Sequence, residues 1–290
     1  MSSPGPLTTE LAANGFRFTA DVAGEAGAPL VLLLHGFPQT RYTWRHQLPA
    51  LAAAGFRALA PDQRGYSPGA RPSGVEHYAV DALLADALAL ADTQDVSRFD
   101  LVGHDWGGQL AWLLAARHPE RVRTLTVLSR PHPAAFARAL ASDPQQSERS
   151  KHHRSFQDPN TAALLVEDGA KRLRRMLREH GVPDLDAAAY VAPLAAHDAI
   201  EAALSWYRAA FRGASALAAS DTPAVRVPTL FIWGDADLTV GRAAAEATRE
   251  FVGAPYRFVE LSGVGHFITD QAPELVTKEL LAQLAAHASA

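Results

Sequence analysis

Gly103-His104-Asp105-Trp106-Gly107-Gly108 sets an aspartate between small residues where a strand turns into a helix. The preceding Asp100–Val102 is short and apolar, which is typical of a buried strand, and the following Gln109–Arg117 has the pattern of a helix that ends at His118-Pro119. A sharp turn of this kind is strained, so it needs small neighbours, and it presents its central side chain near a helix N-terminus. The stretch therefore predicts Asp105 as a nucleophile rather than as a carboxylate that only caps the helix.

A carboxylate nucleophile favours displacement at saturated carbon over attack on an acyl carbon. Opening of a strained C–O bond, or displacement of a halide, leaves the substrate esterified to Asp105. Water must then cleave that ester, which requires a general base and an oxyanion hole.

His266 is the candidate base. It lies in the glycine-lined loop Ser262–Phe267, after the strand-like stretch Tyr256–Leu261. Scaffolds with a nucleophile elbow of this type carry their catalytic residues in the order nucleophile, acid, histidine. The acid is therefore expected between Asp105 and His266, after another strand.

Two aspartates satisfy that expectation. Asp235 and Asp237 both follow the apolar stretch Val227–Trp233. Aspartate is also a common turn residue, and at least one of the two is expected to be no more than that.

The oxyanion hole is predicted near the other end of the chain. Pro29–Leu34 is an apolar run of strand length that ends at His35-Gly36-Phe37-Pro38. Because Pro38 has no N–H to donate, the backbone N–H of Phe37 is the expected donor. It would pair with the N–H of Trp106, the residue after the nucleophile.

Five motifs, in this order, resemble the α/β-hydrolase superfamily, and the aspartate in the elbow is similar to its epoxide hydrolase and haloalkane dehalogenase branch. The motifs are His35–Pro38, Pro61–Ser67, Gly103–Gly108, Trp233–Asp237 and Gly263–Phe267. The resemblance implies an α/β-hydrolase fold: a mostly parallel eight-stranded sheet with helices on both faces and a helical cap inserted after the sixth strand. It also favours Asp237 over Asp235, because the orienting carboxylate of this family usually comes three residues after the loop glycine.

The predicted strands alternate with helical stretches except in one long segment. These strands are Phe16–Val22, Pro29–Leu34, Arg57–Pro61, Phe99–Val102, Val122–Leu128, Val227–Trp233 and Tyr256–Leu261. From about residue 133 to 222 the pattern is helical only, with turn signals such as Asp143-Pro144. We therefore expect a core domain of residues 1–132 and 223–290 and a helical cap domain of residues 133–222.

The cap sequence contains candidate proton donors. Leu204–Arg208 resembles the segment in which epoxide hydrolases keep a tyrosine that faces the nucleophile, and Tyr207 matches it. Most such enzymes have a second tyrosine earlier in the cap, but this chain departs from that pattern. The matching position falls on His152, with His153 as the alternative if the alignment shifts by one residue; both could also be surface histidines.

Length and composition fit one large α/β domain with an insertion and two domains equally well. The chain has 290 residues, 48% of them hydrophobic, a net charge of −4 and no cysteine. These values predict no nucleic-acid partner, no membrane segment, no disulfide and a cytoplasmic location; a homodimer is left open. No cofactor and no metal are expected. The basic run Lys171–Arg178 is predicted as the solvated face of an amphipathic helix rather than as a membrane or acidic-partner site.

These features together predict an epoxide hydrolase that acts on a small-molecule epoxide and water. The first alternative is a haloalkane or haloacid dehalogenase with the same nucleophile. Haloalkane dehalogenases tend to have an asparagine at the Phe37 position or a second tryptophan in the cap, and fluoroacetate dehalogenases an arginine at the Trp106 position. The second alternative is a hydrolase-fold protein that binds a ligand without turnover, against which an intact catalytic triad argues. The sequence does not predict which epoxide is the substrate or with what stereochemistry it reacts. Both depend on the pocket shape set by the cap loops, which residue spacing does not reveal.

Overall fold

A computed structural model describes residues 5–211 and 222–288. These residues contain eight strands: β1 (Leu7–Ala13), β2 (Phe16–Ala23), β3 (Leu30–Leu34), β4 (Arg57–Pro61), β5 (Phe99–His104), β6 (Val122–Leu128), β7 (Thr229–Gly234) and β8 (Tyr256–Leu261). They form one sheet in the order β1-β2-β4-β3-β5-β6-β7-β8. The β1–β2 and β2–β4 pairs are antiparallel, and every other neighbouring pair is parallel.

Twelve α-helices lie within the same described ranges. They are α1 (Gln47–Ala53), α2 (Val80–Asp92), α3 (Trp106–Arg117), α4 (Pro133–Ser142), α5 (Pro144–Arg149), α6 (His152–Ser155), α7 (Thr161–Glu179), α8 (Asp184–Val191), α9 (His197–Phe211), α10 (Arg242–Ala247), α11 (Ile268–Gln271) and α12 (Pro273–Ala286). None of them is long and apolar enough to cross a membrane.

Both faces of the sheet are covered by helices because its central strands are apolar on both sides. Every residue of β3 is buried. Val31 and Leu33 pack with side chains of α1 and α12, whereas Leu32 and Leu34 pack with side chains of α2 and α3. This alternation follows from the two-residue repeat of a strand. The expected eight-stranded, mostly parallel α/β sheet is confirmed.

The prediction that Phe16–Val22 opens the sheet is wrong, because β1 precedes it. As an edge strand, β1 is largely exposed and lacks the apolar alternation that would identify a half-buried strand. Asn14-Gly15 carries the missed signal. Both residues have positive φ, at 48° and 78°, and this dipeptide favours the tight turn of a β-hairpin.

From α4 to α9, the described residues between β6 and β7 form helices joined by turns and contain no strand. We call residues 133–211 the helical insert. The last part of the predicted cap, residues 212–221, lies outside the described residues. The basic run Lys171–Arg178 lies in α7 with Leu173 and Leu177 buried and its five basic side chains exposed, as predicted for an amphipathic helix.

Candidate active site

Asp105 lies at the carboxyl end of β5, directly before α3. Its backbone has φ 48° and ψ −115°, a conformation that L-residues rarely adopt. Two glycines make this turn possible: a Cβ on Gly103 would lie 2.4 Å from the carbonyl oxygen of Gly107, and a Cβ on Gly107 would lie 2.1 Å from the carbonyl oxygen of Leu34. Helix α3 begins at Trp106, directly after Asp105, whereas the sequence predicted a start at Gln109.

The loop after β3 meets the Asp105 carboxylate. The backbone N–H of Phe37 donates to Oδ1 of Asp105 at 3.0 Å. Trp106 opens α3, where the first N–H groups of a helix have no partner within the helix. The structure thus brings the two predicted oxyanion-hole residues to either side of the predicted nucleophile.

His266 links Asp105 to Asp237. Its Nδ1 lies 2.9 Å from Oδ2 of Asp237, and its Nε2 lies 3.6 Å from Oδ2 of Asp105. The other carboxylate oxygen of Asp237 accepts the backbone N–H groups of Thr239 at 2.6 Å and Val240 at 2.9 Å. Since the Asp237 oxygens accept only, Nδ1 of His266 carries a proton and Nε2 faces Asp105.

Asp235 lies in the same loop but away from the histidine. Its carboxylate accepts the backbone N–H of Gly263 at 2.6 Å, on an exposed part of the turn after β8. Asp237 is therefore the aspartate that the structure brings to His266.

Neighbouring charges shift the pKa values of His266 and Asp105. Burial lowers the pKa of His266, but the negative charges of Asp237 and Asp105 outweigh it and raise the pKa to about 10. Burial would raise the pKa of Asp105, whereas the neighbouring His266 and, further away, Arg130 hold it well below its ordinary value. Both shifts favour a carboxylate at Asp105 and an imidazolium at His266 in the resting site.

Tyr207 comes from α9 and faces the elbow from the helical insert. Its ring lies edge-on to Trp106 at 5.0 Å, Phe37 at 5.5 Å and Phe156 at 4.8 Å between centroids. Burial, together with the charge of Asp105, raises the pKa of the Tyr207 phenol well above its usual value. The phenol consequently keeps its proton, which makes it a hydrogen-bond donor.

His152 and His153 lie beside Tyr207 but differ in orientation. His152 lines the same cavity as Asp105 and Tyr207, and its Nδ1 lies 3.1 Å from the carbonyl oxygen of Arg149. Burial lowers the pKa of His152 to about 4, so its ring is neutral near pH 7. Because a carbonyl can only accept, the single proton is on Nδ1 and Nε2 is an acceptor. The His153 ring packs against Tyr207 at 5.7 Å, and burial lowers its pKa to about 3.

A cavity of about 190 Å³ joins these groups. Its apolar walls are Phe37, Pro38, Phe156, Met176, Leu238 and Phe267. Its polar lining is Asp105, Arg149, His152, His180, Tyr207, Thr239 and His266. Core residues and residues of the helical insert contribute in similar numbers, so the cavity lies between the two.

Two arginines near the site were not predicted from the sequence. Arg149 lines the cavity, and Arg130 is buried beside the elbow. Nε of Arg130 donates to the side chain of Gln109 at 2.9 Å, and its guanidinium lies 4.2 Å from the Phe136 ring centroid. A signal for Arg130 was available, because it follows β6 at the carboxyl edge of a parallel sheet, where ligands bind in α/β folds.

The described residues offer no obvious metal site. Within residues 5–211 and 222–288, no group of three or more His, Cys, Asp or Glu side chains is arranged to hold a metal ion.

Comparison with known proteins gives a consistent result. Residues 29–273 match the family model of the α/β hydrolase fold. Epoxide hydrolase A of Mycobacterium tuberculosis is 37% identical, over 92% of this chain and 94% of the relative. The crystal structure of epoxide hydrolase A from Mycobacterium thermoresistibile superposes with a TM-score of 0.82 at 30% identity, covering 97% of this chain and 98% of the other. A mutant epoxide hydrolase from Bacillus megaterium, solved with a diol product, gives a TM-score of 0.86 at 26% identity, covering 96% of this chain and all of that one.

Gly36 offers a test of how closely the nucleophile is packed. A Cβ at this position would lie 2.5 Å from Cβ and 2.6 Å from Oδ1 of Asp105. We expect Gly36→Ala to push the carboxylate off the Phe37 N–H and to lower kcat roughly a hundredfold or more, because small misplacements of reacting groups are costly. Gly253→Ala is the matched control, since its nearest contact would be an ordinary 3.9 Å. Unchanged kcat in a folded Gly36→Ala protein would contradict this geometry.

Proposed function

The chain belongs to the epoxide hydrolases of the α/β-hydrolase family and hydrolyses epoxides, and we propose that it does so in two steps through an ester on Asp105. The observation that carries this proposal is the Asp105 carboxylate itself. One of its oxygens accepts a backbone N–H and the other faces a protonated histidine, at the wall of a largely apolar cavity.

In the first step, Oδ2 of Asp105 attacks an epoxide carbon. The C–O bond of the ring breaks, and its electron pair goes to the epoxide oxygen. Tyr207 donates its phenolic proton to that oxygen, so the leaving group departs as an alcohol instead of an alkoxide. Oδ1 remains on the Phe37 N–H and becomes the carbonyl oxygen of the ester.

Ester formation changes the charge around His266. Asp105 loses its negative charge when it is alkylated, and that charge is one of the two that raise the pKa of His266. The pKa of His266 therefore falls, and its imidazolium releases one proton. Tyr207 takes up one proton and is a phenol again, so the protons of the first step balance. His266 thereby becomes a base only after the ester has formed.

In the second step, neutral Nε2 of His266 removes a proton from water, and the resulting hydroxide attacks Cγ of Asp105. Negative charge develops on Oδ1, where the N–H groups of Phe37 and Trp106 stabilise it. Asp237 stabilises the imidazolium that forms again. The bond between Cγ and Oδ2 then breaks, and Oδ2 leaves with the substrate. The departing oxygen takes the proton of the new Asp105 carboxylic acid, so the diol leaves and Asp105 is a carboxylate again.

The helical insert supplies the acid and closes the cavity. We infer that it is a cap domain of residues 133–222 on a core of residues 1–132 and 223–290. Tyr207 and Phe156 from the insert face Phe37 and Trp106 from the core across the nucleophile, which supports this division.

His266→Gln tests the order of the two steps. The variant should form the ester but not hydrolyse it, because the base acts only in the second step. Intact-mass spectrometry after incubation with styrene oxide should show the protein heavier by one substrate, whereas an Asp105→Asn control should stay unmodified. An unmodified His266→Gln protein, with an epoxide that the parent enzyme turns over, would remove Asp105 from the nucleophile role.

Tyr207→Phe tests the acid. Removal of a donor that acts mainly in the transition state should slow ester formation roughly ten- to a thousandfold, with little change in substrate binding. His152→Ala should have a smaller effect near pH 7, because the neutral ring offers only a lone pair at Nε2. Single-turnover rates of both variants, with His153→Ala as the neighbouring control, measure the difference. A larger loss in His152→Ala than in Tyr207→Phe would reverse this assignment.

A further inference from the structure

Arg149 is a cation on the cavity wall with most of its donors unused. It ends α5 and is half-buried. Its Nη1 donates a hydrogen bond to the backbone carbonyl of Asp237. Within the described ranges, this carbonyl is the only protein hydrogen-bond acceptor of the Arg149 side chain. A guanidinium has five N–H donors in a planar fork that matches a carboxylate. The remaining donors are thus available to a ligand.

Arg149 also lies at the entrance of the cavity. Arg149 and Leu238 line both the cavity and a groove on the protein surface, and Leu238 is 56% exposed. The reacting carboxylate of Asp105 lines the cavity but not this groove. Arg149 is therefore within the space that the opposite end of a substrate can occupy when its epoxide is at Asp105.

The size and lining of the cavity limit what can connect these two ends. A volume of about 190 Å³ compares with the roughly 150 Å³ cavity that holds one benzene molecule. Phe37, Phe156 and Met176 provide apolar walls for such a ring. The space between nucleophile and arginine fits one aromatic ring or a short alkyl chain.

We propose that the enzyme prefers small epoxides that carry a carboxylate opposite the epoxide ring, and that Arg149 is the specificity-determining residue that binds this carboxylate. The inference rests on the proposed function, because it assumes that the epoxide reacts at Asp105. Arg149 takes no part in bond breaking. It should therefore act on KM for charged substrates and leave the chemistry of neutral ones intact.

The test compares two substrates of nearly equal shape, 4-carboxystyrene oxide and 4-methylstyrene oxide. Arg149→Met retains an unbranched apolar side chain and removes the charge. It should raise KM for the carboxylated epoxide about ten- to a hundredfold, the range expected for a charge-assisted hydrogen bond. KM for the methylated epoxide should change by less than about threefold. Arg149→Lys should recover part of the loss, and Arg154→Met, an exposed arginine outside the cavity lining, is the matched control.

A merely structural role for Arg149 predicts a different pattern. If the guanidinium only held the Asp237 loop, Arg149→Met would lower kcat equally for both substrates, and the proposal would be overturned. Equal KM changes for both substrates, or none, would overturn it as well. The unmodified enzyme supplies an independent readout, because added salt should raise KM for the carboxylated epoxide only. If the enzyme forms diol from the methylated epoxide but neither Arg149→Met nor salt raises KM selectively for the carboxylated one, only this inference is refuted. If neither substrate yields diol, the proposed function is contradicted too.

Discussion

The close contact between the Asp105 elbow and the backbone around it is the constraint on which the rest of the site depends. Gly107 approaches the carbonyl of Leu34, and Gly103 approaches the carbonyl of Gly107, at distances that exclude any side chain. Asp105 is thereby held at positive φ, at a cost of roughly 1–3 kcal/mol that the surrounding packing must offset. This conformation places the Asp105 carboxylate at the N-terminus of α3 and in hydrogen-bond contact with the Phe37 N–H. A looser turn would lose the helix position and the hydrogen bond.

Charge balance explains how a rigid site can run two different steps. Asp105 and Asp237 together raise the pKa of His266, while Arg130 adds a buried positive charge that lowers the pKa of Asp105. This arrangement favours the ionised form of Asp105. In the mechanism proposed above, ester formation removes one negative charge, and His266 then becomes a base. Under that proposal the substrate itself switches the role of His266.

Much of this could be predicted from the sequence, because the elbow, the oxyanion loop and the histidine loop each have a local signature. The α/β-hydrolase fold and the epoxide hydrolase family are confirmed by the sheet and by the comparisons. Other features depend on tertiary contacts. Arg149, for example, meets the backbone of Asp237 across 88 residues of chain. Edge strand β1 was missed because it buries too little apolar surface to show a periodicity.

The central claim is that water attacks the ester on Asp105 and never the epoxide. A single turnover in heavy-oxygen water, with enzyme in excess over styrene oxide, tests it most directly. Cleavage after arginine and lysine yields the peptide Phe99–Arg117, in which Asp100 serves as an internal control for Asp105. One heavy oxygen should enter Asp105, while the diol from the first turnover should carry none. Heavy oxygen in the first-turnover diol, with an unlabelled Asp105, would contradict it.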